Sequence, residues 1–191
     1  EPQINKQWQI NPTKGNVTFG SALHKWGFTL DTMQQKGIKF TDIIDTYKNQ
    51  NHQTLPKTLP LHNTILTMII KHLPNPIQAQ KQRIPAIWKG NLKSEIGQAM
   101  LNCDDTGPTT MTITTTQTDT QGQTTATGRL FSGQIKKGDH VYLVCTRKSC
   151  HVKQVYLHMA QFKEPIDKIT AGNIAAITGL DTARAGETLI D

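Results

Sequence analysis

With 191 residues, 36% of them hydrophobic and 18% charged, the chain can bury a core without disulfide or metal staples, as one large domain or two small ones. No apolar run approaches the roughly 18 residues that a membrane-spanning helix requires, which excludes a membrane-embedded chain. A formal net charge of +7 and an isoelectric point near 9.4 favour an anionic partner such as nucleic acid.

The first predicted strand ends at Val17-Thr18-Phe19, and Gly20-Ser21-Ala22 follows as a small-residue turn, with Phe28 opening a helical pattern. Such a turn presents backbone N–H groups, although alone it reads as a strand-to-helix connection with no ligand. From Phe28 to about Lys48 the apolar positions Leu30, Met33, Phe40, Ile43, Ile44 and Tyr47 predict two short helices broken at Lys36-Gly37. Leu55 to Pro60 reads as a loop. A longer helix then runs from Pro60 to Leu73, with the stripe Leu61, Ile65, Met68, Ile69 and Leu73, and is ended by Pro74 and Pro76. That stripe requires a surface to pack on.

Residues 77–105 form a polar connector holding an apolar cluster, Ile84, Ile87 and Trp88, that the sequence does not place. Strand signals follow. Residues 108–119 alternate Met111 and Ile113 with threonines, and the next residues carry a turn, predicting a hairpin. A mucin-like tract is the other reading of this Thr-rich run, but Thr is a good strand former and strands flank it. Short β-rich runs at 126–145, 150–160 and 169–180, punctuated by Gly133, Gly138, Gly172, Gly179 and Gly186, predict an all-β barrel. The expected architecture is α+β: α-rich to residue 72, a connector over 73–105, and a β-barrel over 106–191.

The succession INPTKGNVTFGSALHKWGFTL, LPLHNTILTMIIKHLPNPIQAQ, IWKGNL, GRLFSGQIKKGDHVYLV, EPIDKITAGNIAAITGLD and GET resembles the elongation factor 2 family of archaeal translational GTPases, relatives of bacterial elongation factor G. The words are short, but they cover nearly the whole chain in one order. The resemblance implies that residues 1–72 are the C-terminal end of a P-loop GTPase domain and that the rest leads into the β-barrel second domain of translation factors. It also implies that Gly20, Ser21 and Ala22 match the loop that turns backbone N–H groups toward the guanine oxygen. Main-chain donors fixed by small residues suit a base carbonyl because they need little reorganisation. Leu23 stands where related GTPases often carry Lys against the base, a departure from the family pattern.

The remaining parts of a nucleotide site are missing. No G-x-x-x-x-G-K-[ST] string occurs, and no N-K-x-D, since Asn5-Lys6 continues Gln7-Trp8. The chain alone is therefore expected to be no enzyme and to hold no cofactor, with GTP and Mg2+ belonging to a parent GTPase. An internal fragment is the simplest account of a start at Glu1-Pro2-Gln3. The missing GTPase core and the downstream domains would then be its partners in cis.

By the resemblance, the barrel docks on small-subunit ribosomal RNA during translocation of tRNA and mRNA and relays motion between domains, in the cytoplasm. Arg129, Lys136, Lys137, Arg147, Lys148 and Lys153 could supply phosphate contacts, or be solvated surface charges. Gly128 and Gly133 suit turns or bulges, and Trp26 and Trp88 suit core positions. A free-standing basic β-barrel that binds nucleic acid is the alternative function. A Thr-rich adhesin would need a secretion signal, and FSGQ around Ser132 is not the G-x-S-x-G of a hydrolase. Cys103, Cys145 and Cys150 fit neither a disulfide framework nor a zinc site, and a reducing cytoplasm fits them best. The seven histidines contain no H-x-x-x-H pair, so no catalytic metal is expected.

Overall fold

The computed structural model describes residues 10–159 and 162–191. The chain start, with Asn5-Lys6, and Ala160 at the end of one expected strand lie outside the described residues. The chain divides into two compact units at Leu73 and Pro74.

The first unit is built on a short antiparallel hairpin. Strand β1 (Phe19–Ser21) pairs with β2 (Trp26–Phe28) in the register Phe19 to Phe28, Gly20 to Gly27 and Ser21 to Trp26. This corrects the expected strand-to-helix turn: the chain doubles back on itself, and Phe28 closes a strand instead of opening a helix. Phe28 is buried with Trp26, Ile43, Leu55 and Leu59, so its apolar side chain belongs to the hairpin's inner face and not to a helical stripe. Thr29 caps helix α1 (Leu30–Lys36) by accepting the Thr32 N–H, and the helix ends at Gly37 in the left-handed conformation. Helix α2 (Phe40–Lys48) follows.

The expected loop over Leu55–Pro60 is in fact mostly helical, a 3-10 turn at His52–Thr54 running into α3 (Leu55–Thr58). Pro56 misleads there: proline fits the first turn of a helix, where its missing N–H costs nothing. Leu55 and Leu59 from this segment are buried.

Helix α4 (Leu61–His72) lies where its pattern predicts, but with a different face inward. Thr64 is buried and donates its hydroxyl to the Gly27 carbonyl at 2.6 Å; Met68 sulfur accepts from the Thr18 hydroxyl; Lys71 pairs with Asp31. Leu61, Thr64 and Met68 thus face the hairpin segment and Lys71 reaches α1, while Ile65, Ile69 and Leu73 of the predicted stripe are exposed with Leu66 and Ile70. A two-stranded hairpin is too narrow to cover both apolar faces.

The second unit begins with two helices in the expected connector, α5 (Pro76–Ile87) and α6 (Glu95–Asn102). Asn75 and Gln78 cap α5 reciprocally, and Ser94 caps α6. Fully buried Gln80 reaches from α5 to the carbonyls of Met100 and Phe131, at 2.5 and 2.9 Å, tying both helices to the following sheet.

The strands are β3 (Thr110–Thr118), β4 (Thr124–Ser132), β5 (Gln134–Lys136), β6 (His140–Leu143), β7 (Lys148–His151), β8 (Gln154–Met159), β9 (Phe162–Ile166), β10 (Lys168–Thr170), β11 (Ile174–Thr178) and β12 (Thr188–Ile190). Among the described residues, eight form one antiparallel sheet in the order β7-β6-β12-β3-β4-β11-β8-β9, and β5 pairs with β10 separately. The period-2 alternation sends Met111, Ile113, Leu130, Ile135, Leu143, Ile177 and Leu189 into one core at 0% exposure. The Thr-rich run is the β3–β4 hairpin, with a register shift between Ile113 and Thr115 opposite Gly128. A side chain at Gly128 would collide with the Thr112 carbonyl, so glycine here permits the close strand approach at the bulge. Gly133 turns the chain from β4 into β5. Trp26 is buried; Trp88 ends α5 half-buried.

Candidate functional site

The hairpin loop Ala22–Lys25 carries the sequence-predicted base-recognition residues. Gly20 lies in β1, where any Cβ would meet the Trp26 carbonyl at 2.4 Å, so its glycine is demanded by the hairpin itself. The Ser21 hydroxyl accepts the His24 N–H at 3.2 Å, and the Lys25 N–H bonds to the Ala22 carbonyl at 3.2 Å. Lys25 takes the left-handed conformation, φ 55°, to re-enter β2. Among the described residues no protein acceptor takes the N–H groups of Ala22 and Leu23. The loop tip therefore offers two successive backbone donors to solvent, and the Leu23 side chain is 84% exposed.

An aromatic cluster missed in the sequence holds this loop. Trp26 Nε1 donates to the Tyr47 hydroxyl at 2.9 Å, and His24 Nδ1 lies 2.7 Å from the same oxygen. Indole N–H can only donate, so the Tyr47 oxygen is the acceptor of the Trp26 bond and shares a second hydrogen bond with His24 Nδ1. The His52 ring stacks on Tyr47 with centroids 5.4 Å apart. A shallow cavity of about 330 Å³, lined by Leu23, His24, Lys25, His52, Gln53 and Pro56, opens beside the loop. Only the helical spacing of Tyr47 is legible in the sequence, and that spacing assigns it to the core.

The six predicted cationic residues separate into three places. Lys136 and Lys137 start the β5–β6 turn, where Asp139 accepts the Lys136 N–H at 2.7 Å. Reciprocal bonds, Gly138 N–H to Val152 and Val152 N–H to Asp139, both 2.9 Å, bring Lys153 beside that turn. The β5–β10 register adds Lys168 opposite Lys136, a residue sequence reasoning missed because only strand pairing reveals it. Arg147 and Lys148 belong to the β6–β7 hairpin, with Arg147 at φ 54°. Lys148 shares a cavity of about 610 Å³ with Arg184 and Asp181. Glu187, 3% exposed, secures this loop by accepting the N–H groups of Cys145 and Thr146 at 2.6 and 3.3 Å.

Arg129, half-buried on β4, stands apart from both groups. Its charge acts on Cys103, whose thiol is nonetheless pushed above its ordinary value, chiefly by burial. The neighbouring Asp104 carboxyl is held below its ordinary value by the backbone N–H of Thr106 and then by the Thr106 hydroxyl.

Comparison with known proteins finds relatives of the chain as a whole. The model of the family described as elongation factor Tu domain 2 matches residues 123–190. The protein named elongation factor 2 from Staphylothermus marinus is 48% identical over 193 aligned residues, and that from Metallosphaera sedula 47% over 194, each covering 100% of this chain. Elongation factor 2 of Pyrococcus abyssi is 43% identical over 189 residues, covering 99% of the chain. The chain spans 26% of the length of each of these relatives. Over that quarter of their length, the chain belongs to the elongation factor 2 family.

Proposed function

We propose that the chain is a segment of a GTP-dependent translation elongation factor that promotes ribosomal translocation of tRNA and mRNA. In this reading residues 1–72 are the C-terminal end of the GTPase domain, and Gly20, Ser21, Ala22 and Leu23 form its guanine-recognition loop. The observation that carries the assignment is the pair of N–H groups at Ala22 and Leu23 that no acceptor among the described residues takes, in a loop held by the Ser21 hydroxyl and by the His24–Tyr47–Trp26 contacts. Two adjacent, immobilised donors match the lone pairs of the guanine oxygen and discriminate against adenine, which presents an amino group there. Leu23 contributes its main chain; its exposed side chain offers the base apolar contact in place of an ammonium stem.

GTP and Mg2+ would be held by the parent protein through motifs that this sequence lacks, so the segment alone neither binds nor hydrolyses GTP. Calorimetric titration of the chain with GTP and GDP is expected to give no heat of binding, and a micromolar Kd would overturn this. In a parent protein carrying the segment, Leu23→Pro removes one donor, and a guanine nucleotide affinity at least tenfold weaker is expected; unchanged affinity would reject the loop assignment.

For the barrel we infer contact with small-subunit ribosomal RNA through phosphates. The grouping of Lys136, Lys137 and Lys153 with Lys168 on neighbouring turns and strands supports this. Reversing Lys136 and Lys137 to Glu should weaken binding uniformly across sequences and lower the salt slope by about 1 for each phosphate no longer neutralised. Tight, salt-sensitive binding of arbitrary RNA by the isolated chain would instead favour the alternative, a free-standing nucleic-acid-binding barrel. A cytoplasmic location accords with the family, and among the described residues no helix is long and apolar enough to cross a membrane.

A further inference from the structure

His140 on β6 and His151 on β7 are eleven residues apart in sequence, a spacing that fits no local metal motif. The antiparallel register sets them directly opposite each other. Both are exposed, and their rings meet edge to face with centroids 5.1 Å apart and planes at 67°. We propose that His140 and His151 form an open two-imidazole site for a late first-row divalent transition metal, with copper(II) held most tightly.

The geometry carries the proposal. A metal–nitrogen bond of about 2.0–2.1 Å, added to the roughly 1.1 Å between a ring nitrogen and its centroid, puts each centroid about 3.2 Å from a shared ion. For two ligands at about 90–110° around that ion, the centroids are then roughly 4.5–5.2 Å apart. The observed 5.1 Å lies within this interval. His24 and His52 also have close rings, 4.6 Å apart, but His24 Nδ1 is engaged by Tyr47 and His52 is stacked on it. His140 and His151 have no such commitments among the described residues.

The surroundings admit a cation. His140 borders a groove of about 380 Å³ that is also lined by Asp105, Asp139 and Asp191, against Lys136 on the same lining and Lys153 beside the same turn. Two of these carboxylates are oriented by backbone donors, Asp139 by Lys136 N–H and Asp191 by Thr109 N–H, and they contribute negative potential rather than ligands. Among the described residues no group of three or more His, Cys, Asp or Glu is placed to hold a metal ion. Water fills the remaining coordination positions, and the metal order follows imidazole preference, with copper(II) above nickel(II) and zinc(II). Because β7 is an edge of the large sheet, a bound ion would staple that edge to β6.

The test is a titration of the whole 191-residue chain with copper(II) chloride alone, followed by calorimetry and electron paramagnetic resonance. The expected result is one strongest site with two equatorial nitrogens, whose Kd rises at least tenfold in H140A and in H151A but not in H158A, another exposed histidine. Copper should raise the thermal midpoint of the natural chain and of H158A, and leave both site variants unmoved. Wild-type affinity retained in H140A or H151A would overturn the proposal, as would a signal from a single nitrogen. Should H140A disturb the metal-free circular dichroism, H151A on the edge strand carries the same test.

Discussion

Leu130 and Ile70 are both branched aliphatic residues in regular elements, yet Leu130 on β4 is fully buried while Ile70 on α4 is 82% exposed. The contrast extends to their units. In the second unit alternate residues of β4 and β6 turn to a shared interior, and one core gathers buried residues of strands from distant parts of the chain. In residues 10–73 the core is an aromatic cluster around Trp26, Phe28 and Tyr47, and α4 keeps Ile65, Leu66, Ile69, Ile70 and Leu73 in solvent. A strand with period 2 has a single inner face, which one packed layer covers. A helix with apolar residues on two faces needs two covering surfaces, and the hairpin supplies one.

The sharpest way to break this comparison is truncation of one side chain in each unit. Leu130→Ala should destabilise its unit by about 2–5 kcal/mol, because it removes buried methyl groups and leaves a cavity. Ile70→Ala, exposed on a helix, should stay within about 0.5 kcal/mol. Urea unfolding followed by circular dichroism measures both, and comparable losses would mean that α4 is covered after all.

Glu187 tests whether polar fixing matters as much as apolar burial in the second unit. Glu187→Ala leaves the Cys145 and Thr146 N–H groups without their carboxylate acceptor and should cost about 1–3 kcal/mol. Glu187→Gln, which keeps an acceptor, should recover part of that. Equal losses in the two variants would show that charge, not hydrogen bonding, holds the loop carrying Arg147 and Lys148.

The exposed face of α4 gives a smaller, concentration-dependent effect. Contiguous exposed apolar side chains drive association between chains. Ile65→Lys combined with Ile69→Lys should therefore lower the sedimentation-measured mass at about 100 μM, in the range where weak contacts form, while leaving the fold unchanged. A natural chain that is already strictly monomeric there would show that these side chains associate with nothing.

These differences also explain what can be read in the sequence. The β-rich unit is legible because Met111, Ile113 and Leu130 sit at alternate positions between glycine turns, and one period fixes both strand type and inner face. The boundaries of α4 are legible from Pro60 and Pro74, but its inward face is not: Thr64 is buried because the Gly27 carbonyl needs a donor, a tertiary demand invisible in a pattern of apolar residues. The small residues of the candidate loop mark its place, whereas its hairpin form stays hidden because Trp26-Gly27-Phe28 is too short to display a period. The Tyr47 contacts with His24 and Trp26, and the opposition of Lys168 to Lys136, join residues over 20 positions apart and exist only once the register is set.

The smallest expected effect is a pH dependence confined to the second unit. Asp104 follows α6, and its carboxylate accepts the Thr106 N–H at 2.9 Å and the Thr106 hydroxyl at 2.8 Å, while its own carbonyl takes the Gly133 N–H at 2.7 Å. Both side-chain bonds favour the ionised form, so the carboxyl is held below its ordinary value in the folded chain. The unfolded carboxyl titrates near about 3.9. A group depressed on folding contributes stability above that unfolded value and loses it as pH falls through the lower, folded value. The stability difference between the natural chain and Asp104→Asn should therefore be constant from neutral pH to about 5 and shrink on further acidification, because Asn has no charge to lose. Urea midpoints at pH 7, 5 and 3 measure it, with the α-rich unit as internal reference. A difference that grows on acidification would reverse the sign of this linkage and assign the Thr106 bonds to the neutral acid.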